Sequence, residues 1–549
     1  MQETRKSIAA TVACLLTYTA ISPSLADPIN LLREFRPIGG VGNNLANPNL
    51  DVVPGSPELN LAPLNFGSGT NDPLVSGPNP RLISNVIAGG TGANGQNAAT
   101  TDPVLSAWLY VFGQFVDHDL DLEFTPTTNP AINITVPPND PVFKPGTSIA
   151  MTRDIRSPLT NTIINTVAGY LDLSQLYGST VAVANALRNS DGTLKSSDNG
   201  QALPVVNGSF VTGDPRVMEN PELTALTILF MREHNFWVGK LKSEHQSWTG
   251  DQLYNMAKAI TTAEYQNIVY EEYLPVLIGP VLGRYKGYKP HINAQVTQEF
   301  STAAFRVGHS QISDTQEGLD NNGKVTFTES LAQAFFNTPA EDEANGFNPL
   351  LRSLGVDFAQ ATDVYTVSVL RNLLFAPLVG GDVDEVDLIA IDIQRERDVG
   401  LATLNETRKA LRLTPYSSFA TLTSDPVLQK NLATVYGNIA NVDLFMGGLA
   451  EDHVPGASVG PTFQAIIAAQ FEALRAGDRF FWKNENFDRE TTDMISDTTL
   501  ADIIKRNTDT TSLQKNVFLA APLPNHVKEK LPVGHIDNHG RKGTPFILP

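Results

Sequence analysis

From residue 105 onward the apolar residues of this 549-residue chain return at three- and four-residue steps, and that periodicity constrains the fold more than any other feature. It runs through 222–241, 251–273, 362–375, 401–411, 426–438, 461–475 and 498–505, with Pro and Gly between the segments. Strand-like alternation is scarce, and the chain shows no internal repeat. The expected architecture is mainly α, a single large domain over 105–518. A Pro-, Gly- and Asn-rich stretch over 27–104 reads as an irregular arm packed on that core, and 519–549, with five prolines after Phe518, as a C-terminal tail. A hydrophobic content of 41% with 18% charged residues suits a core of this size.

Residues 1–26 carry a basic start (Arg5, Lys6), an apolar run and small residues at Ser24 and Ala26, the pattern of a cleaved signal peptide. The mature protein is therefore expected to be secreted, or periplasmic in a bacterium, without stable membrane association. The single cysteine, Cys14, falls inside that segment, so stability after export must come from core size, metal or cofactor. A formal charge of −19 argues against nucleic acid as a partner, because phosphate backbones are held by an excess of Lys and Arg.

Phe112-Gly-Gln-Phe-Val-Asp-His-Asp-Leu120 closes an apolar run that begins at Ala107. Trp108, Val111, Phe112, Phe115 and Asp119 fall at helical steps, which puts Gln114 and His118 on one face and turns Asp117 and Asp119 away from it on either side. Taken alone, a His flanked by Asp near a helix end is more often a hydrogen-bonded structural group than a catalyst. Partners are needed, and four further segments offer them.

In Ala168-Gly-Tyr-Leu-Asp-Leu-Ser174, alternation along an extended loop would put Ala168, Tyr170, Asp172 and Ser174 on one side, a mixed oxygen set of the kind that cages Ca²⁺, with Asp119 as the extra carboxylate. On spacing alone, an ordinary turn before Tyr177-Gly-Ser179 is the commoner case. In Asp214-Pro-Arg-Val-Met-Glu-Asn-Pro-Glu222 an Arg stands three residues before a Glu, usually a structural pair. Phe305-Arg-Val-Gly-His309 presents one histidine, and Asp392 is a lone acid in the apolar run from Leu388 that needs a partner. If that partner is the His309 imidazole, the two make a carboxylate–histidine–metal arrangement.

In order and residue type these segments, with Leu171-Asp-Leu-Ser-Gln-Leu-Tyr-Gly-Ser179, Arg232-Glu-His-Asn235, Val459-Gly-Pro-Thr462, Gly477-Asp-Arg-Phe-Phe-Trp482 and Asn43-Asn-Leu-Ala-Asn47, resemble the animal-type haem peroxidases of the peroxidase–cyclooxygenase superfamily, myeloperoxidase- and peroxidasin-like. The resemblance spans Asn43 to about Phe518.

What it implies is a secreted enzyme that reduces H₂O₂ and oxidises a small organic donor or (pseudo)halide through a ferryl intermediate. By the family pattern His309 matches the proximal ligand of the haem iron, Asp392 the group that bonds its other ring nitrogen, and Arg306 a residue at the cofactor. His118 matches the distal base, Arg216 its cationic partner, and Gln114 a residue near the substrate position. Asp117 and Glu219 match carboxylates that form ester links to haem b. Asp119, Ala168, Tyr170, Asp172 and Ser174 match the Ca²⁺ ligands, with Ala168 in place of a threonine. Asn220 stands where some members carry a sulfonium-forming methionine, so that third link is not expected. Two rival readings remain: a fatty-acid dioxygenase, disfavoured because Arg306 occupies the place of its radical tyrosine, and an extracellular adhesion protein on the same fold with weak catalysis.

Overall fold

The computed structural model describes residues 34–66, 76–89, 99–197, 199–335, 347–375 and 384–521. The expected signal peptide and the tail beyond 521 lie outside the described residues. Strand β1 (Thr101–Ser106) runs straight into helix α1 (Trp108–Leu120). Then come helices α2 (Val181–Leu187), α3 (Pro221–Glu244) and α4 (Gly250–Ile268), followed by the hairpin β2 (Thr315–Leu319) and β3 (Val325–Ser330) and the strand β4 (Phe358–Gln360). Helices α5 (Leu388–Asp398), α6 (Pro461–Gly477) and α7 (Leu500–Asn507) complete the elements used below. Among the described residues strands form only two-stranded antiparallel pairs, β1 with β4 among them, so the core belongs to the helices, as the periodicity predicts.

The helices begin where local chemistry starts them. Asn220 accepts the Leu223 amide at 2.8 Å and Pro221 opens α3, Thr249 and Gln252 form a capping box on α4, and Asp387 accepts the Ala390 amide at 3.0 Å to start α5. One periodic run went elsewhere. Of 362–375 only Ser368–Arg371 is helical; the chain leaves the helix at Asn372 (φ −134°) and Leu373–Phe375 pairs with Asp384–Val386. Pairing with a later strand overrode a local pattern that a short buried segment shares with a helix.

Helix α1 lies in the middle of this core. Trp108, Phe112 and Phe115 are fully buried, Phe115 stacking on Phe230 of α3 at 5.1 Å and meeting Tyr265 of α4 edge-on at 5.9 Å. Burying one such ring contributes roughly 2–3 kcal/mol, and truncating it to Ala would cost about 3–5 kcal/mol. Every residue of α1 is buried except Gly113, Gln114 and Asp117, which share one stripe of the helix. That stripe is the one side of α1 left partly open. The arm is tied down by its own polar groups: Arg36 pairs with Asp478 at 2.5 Å and Asn43 donates to the same carboxylate at 2.8 Å.

Candidate active site

The accessible stripe of α1 carries a short hydrogen-bond chain. Asn220 Nδ2 donates to Gln114 Oε1 at 2.9 Å, Gln114 Nε2 donates to Glu219 Oε2 at 3.0 Å, and that oxygen stands 3.8 Å from His118 Nε2. Burial holds the His118 imidazole down at about 3, and the nearby Arg216 charge adds to the effect. At neutral pH the ring is a free base. Burial likewise pushes the Glu219 carboxyl up to about 7 against the pull of Arg216, and the Asp117 carboxyl up to about 7, with the Asp121 charge adding.

Arg216 does not pair with Glu219, as its spacing suggested, but with Asp214. Asp214 caps a single 3₁₀ turn, accepting the Arg216 amide at 2.7 Å, and its two oxygens take Nε at 3.0 Å and Nη2 at 2.7 Å in a fork. Nη2 also reaches the Asp121 carbonyl at 2.7 Å, while Nη1 has no partner among the described residues. The guanidinium is partly buried, its side chain 19% exposed, and Asp214 keeps it firmly charged. Its direction is set by a carboxylate that the sequence reading missed; the Asp-Pro-Arg order, an N-cap followed by Pro, was the available signal.

His309 stands on the single turn Gly308–Gln311, which packs on α1. Its Nδ1 stands 2.7 Å from Oδ2 of Asp392, a fully buried residue of α5, and Nε2 has no partner among the described residues although the ring is 29% exposed. Asp392 Oδ1 accepts Arg306 Nη1 at 3.0 Å, Arg306 Nη2 reaches Glu123 at 2.7 Å, and Arg306 Nε reaches the Ser301 carbonyl at 3.0 Å. Arg306 is thus spent on protein groups and acts on His309 through Asp392. Glu123 is a second partner that no motif announced. His309 lies within electrostatic reach of both Asp117 and Glu219, and its turn packs on α1.

That lining fits haem. A buried carboxylate orients an imidazole so that its second nitrogen is open, as a metal-binding histidine requires. The turn that carries it packs on α1, whose partly open stripe bears Gln114 and Asp117, and burial pushes up the carboxyls of Asp117 and Glu219.

Asp119, next to His118 on α1, turns to the 168–174 loop. Its Oδ2 accepts the amides of Asp172 (2.9 Å) and Leu173 (3.0 Å), and Oδ1 accepts the amide (2.6 Å) and hydroxyl (2.9 Å) of Ser174. The loop is not the extended strip that alternation suggested. The Tyr170 amide bonds to the Ala168 carbonyl at 2.7 Å and the Asp172 amide to the Tyr170 carbonyl at 2.9 Å, and Leu173 adopts φ 60°, so the chain coils in tight bends before Ser174 starts a helical turn. The coil still gathers oxygens. Asp172 Oδ1 is buried without a partner, and burial pushes up the carboxyls of both Asp119 and Asp172, the Asp172 charge adding at Asp119. Two buried carboxylates with a hydroxyl and free carbonyl lone pairs form a donor set that a hard divalent cation would satisfy. Among the described residues no group of three or more His, Cys, Asp or Glu could hold a metal, so carbonyls would have to complete the shell.

The family pattern described as animal haem peroxidase matches residues 35–518, most of the chain. This protein belongs to the animal haem peroxidase family. Among its relatives, peroxinectin A of Dictyostelium discoideum is 32% identical over 525 residues, covering 88% of this chain and 96% of the relative. Mouse myeloperoxidase is 30% identical, covering 89% and 77%, and a human peroxidasin homologue is 30% identical over 90% of this chain but only 38% of its own length. The solved structure of peroxidase A from D. discoideum superposes with a TM-score of 0.78 at 30% identity, covering 88% of this chain and 99% of that one. A fatty acid alpha-dioxygenase from Arabidopsis thaliana superposes at 0.76 with 21% identity, a likeness of fold alone. As a member of this peroxidase family the protein is a haem-dependent oxidoreductase that uses H₂O₂. No helix among the described residues of this peroxidase is long and apolar enough to cross a membrane.

Proposed function

We propose that this protein is an exported haem peroxidase that reduces H₂O₂ and oxidises a small organic donor or a (pseudo)halide. What supports the reading is that His309, its Nε2 unpartnered and Asp392 behind it, stands on a turn packed on the helix that carries His118 and Gln114, with the Asp214-clamped Arg216 beside them. Haem b, when held there by His309, supplies the iron at which the peroxide O–O bond is cleaved.

The residues around that bond have separable roles. Asp392 accepts the Nδ1 proton of His309, fixing the tautomer that leaves Nε2 free to ligate. His118, neutral because it is buried, takes the proton of the attacking peroxide oxygen and returns it to the departing one. Arg216, clamped through Nε and Nη2, keeps Nη1 for the negative charge that develops on the leaving oxygen. Gln114, fixed by Asn220 and Glu219, borders the position where a donor enters. Asp117 and Glu219 would hold the haem through ester links to its methyl groups, each carboxylate oxygen replacing a methyl hydrogen in a two-electron oxidation for which H₂O₂, reduced to water, is the oxidant, and each link would remove a charge that burial penalises. Asp119, Asp172, Ser174 and the carbonyls of Ala168 and Tyr170 would hold Ca²⁺, which would fasten α1 to the loop one residue from His118.

The N-terminal pattern supports export, and the net charge of −19 supports small-molecule partners over nucleic acid. The dioxygenase reading gains nothing, because the position three residues before His309 holds Arg306, committed to Asp392 and Glu123. His118→Ala tests the proposal: with the haem spectrum intact, the rate of reaction with H₂O₂ is expected to fall by about 10²–10⁴-fold. A fall of less than about threefold would remove His118 from the mechanism.

A further inference from the structure

A second cavity, of about 270 Å³, opens between the arm at Arg36–Ile38, helix α2 and helix α4, and contains none of the residues assigned to the peroxide site. Two of the cations lining it are buried with donors unspent. Lys258 of α4 is 5% exposed, and its Nζ makes no hydrogen bond or ion pair among the described residues; it stands 5.4 Å from the Tyr177 ring. Arg36 spends Nη2 on Asp478 (2.5 Å) and on the Phe480 carbonyl (2.9 Å), while its Nη1 is buried without a partner. At the rim the Arg188 guanidinium lies 4.7 Å over the Tyr254 ring and pairs with Asp251. The rest of the wall includes the aliphatic side chains of Ile38, Val181 and Ala184.

An ammonium that no acceptor contacts, with the charges of Asp172 and Glu485 acting on it only from beyond contact, and a buried guanidinium N–H without an acceptor, in one cavity, leave donors that a bound carboxylate would satisfy together. The aliphatic wall would serve an organic body and does nothing for a bare inorganic ion. The volume, below that of typical drug-sized pockets, restricts the body to a single ring or a short chain. We infer that this cavity is a binding site for a small organic carboxylate, its headgroup on Lys258 and Arg36 Nη1 and its hydrocarbon against Ile38, Val181 and Ala184.

Isothermal titration calorimetry of the haem-loaded protein with benzoate tests the site, with inorganic phosphate as the headgroup-only probe. Saturable binding of benzoate is expected. It should weaken by about tenfold or more in Lys258→Met and return to within about threefold in Lys258→Arg. Val181→Asp, at an exposed position where α2 begins, leaves the buried cations untouched and should weaken benzoate by about fivefold through charge at the mouth. Phosphate should bind more weakly than benzoate. Benzoate lodged at the haem would instead shift the Soret band and keep its affinity in both Lys258→Met and Val181→Asp. That result, or no benzoate binding to the parent protein, would overturn the inference, and equal affinity for phosphate would overturn the assignment to an organic ligand.

Discussion

Asp392→Asn isolates the charge behind His309, the histidine proposed to hold the haem iron. Asp392 Oδ2 lies 2.7 Å from His309 Nδ1 and Oδ1 lies 3.0 Å from Arg306 Nη1, with no part of the side chain exposed. Asparagine keeps the shape and one acceptor but not the charge. A hydrogen bond to a charged group is worth roughly 1.5–3 kcal/mol and a neutral one roughly 0.5–1.5, so about 1–1.5 kcal/mol of interaction with His309 is lost. The negative charge favours ferric over ferrous iron, so its removal raises the Fe(III)/Fe(II) potential. At about 59 mV per tenfold change, itself about 1.4 kcal/mol, the rise is about 40–60 mV. Spectroelectrochemical titration of the two proteins reads it directly. Arg306 keeps its pairing with Glu123 at 2.7 Å, which should let the variant fold and bind haem. A potential that stays put or falls, with the Soret band intact, would refute the proximal assignment.

Two other outcomes follow from the same geometry. Acid–acetone extraction should leave at least part of the haem on the protein, and the double variant Asp117→Asn with Glu219→Gln should release all of it; full release from the parent would refute the ester links. Because burial lowers His118 to about 3, its base form persists well below the ordinary histidine range, so the rate of reaction with H₂O₂ should stay level from about pH 8 down to about pH 5. A stopped-flow profile that falls through a midpoint near 6.5, the ordinary histidine value, would contradict that environment.

How much of this was legible in the sequence depended on the range of the interaction. Helix α1 was readable because its apolar steps are local, and with it the shared face of Gln114 and His118. The pairing of His309 with Asp392, across 83 residues, was suggested only by an acid stranded in an apolar run and by the order of the motifs. Where tertiary contacts compete with local pattern, the reading failed. The run 362–375 broke at Asn372 into a strand pair, and the 168–174 loop coiled because its amides turn back on their own carbonyls and on Asp119. Arg216 went to Asp214, two residues away, because a cap turn presents that carboxylate to both its amide and its guanidinium. Glu123 had no signal at all: its partner Arg306 lies 183 residues on, and nothing local marks either as belonging to the other.

The central claim is that His309 holds haem in a space where His118 and Arg216 act on peroxide. The absorption spectrum of the purified, haem-supplemented protein tests it most directly, recorded before and after one equivalent of H₂O₂ and again with a phenolic donor. A Soret band that shifts with peroxide and returns with donor is expected. A protein that shows no Soret band after supplementation would contradict it.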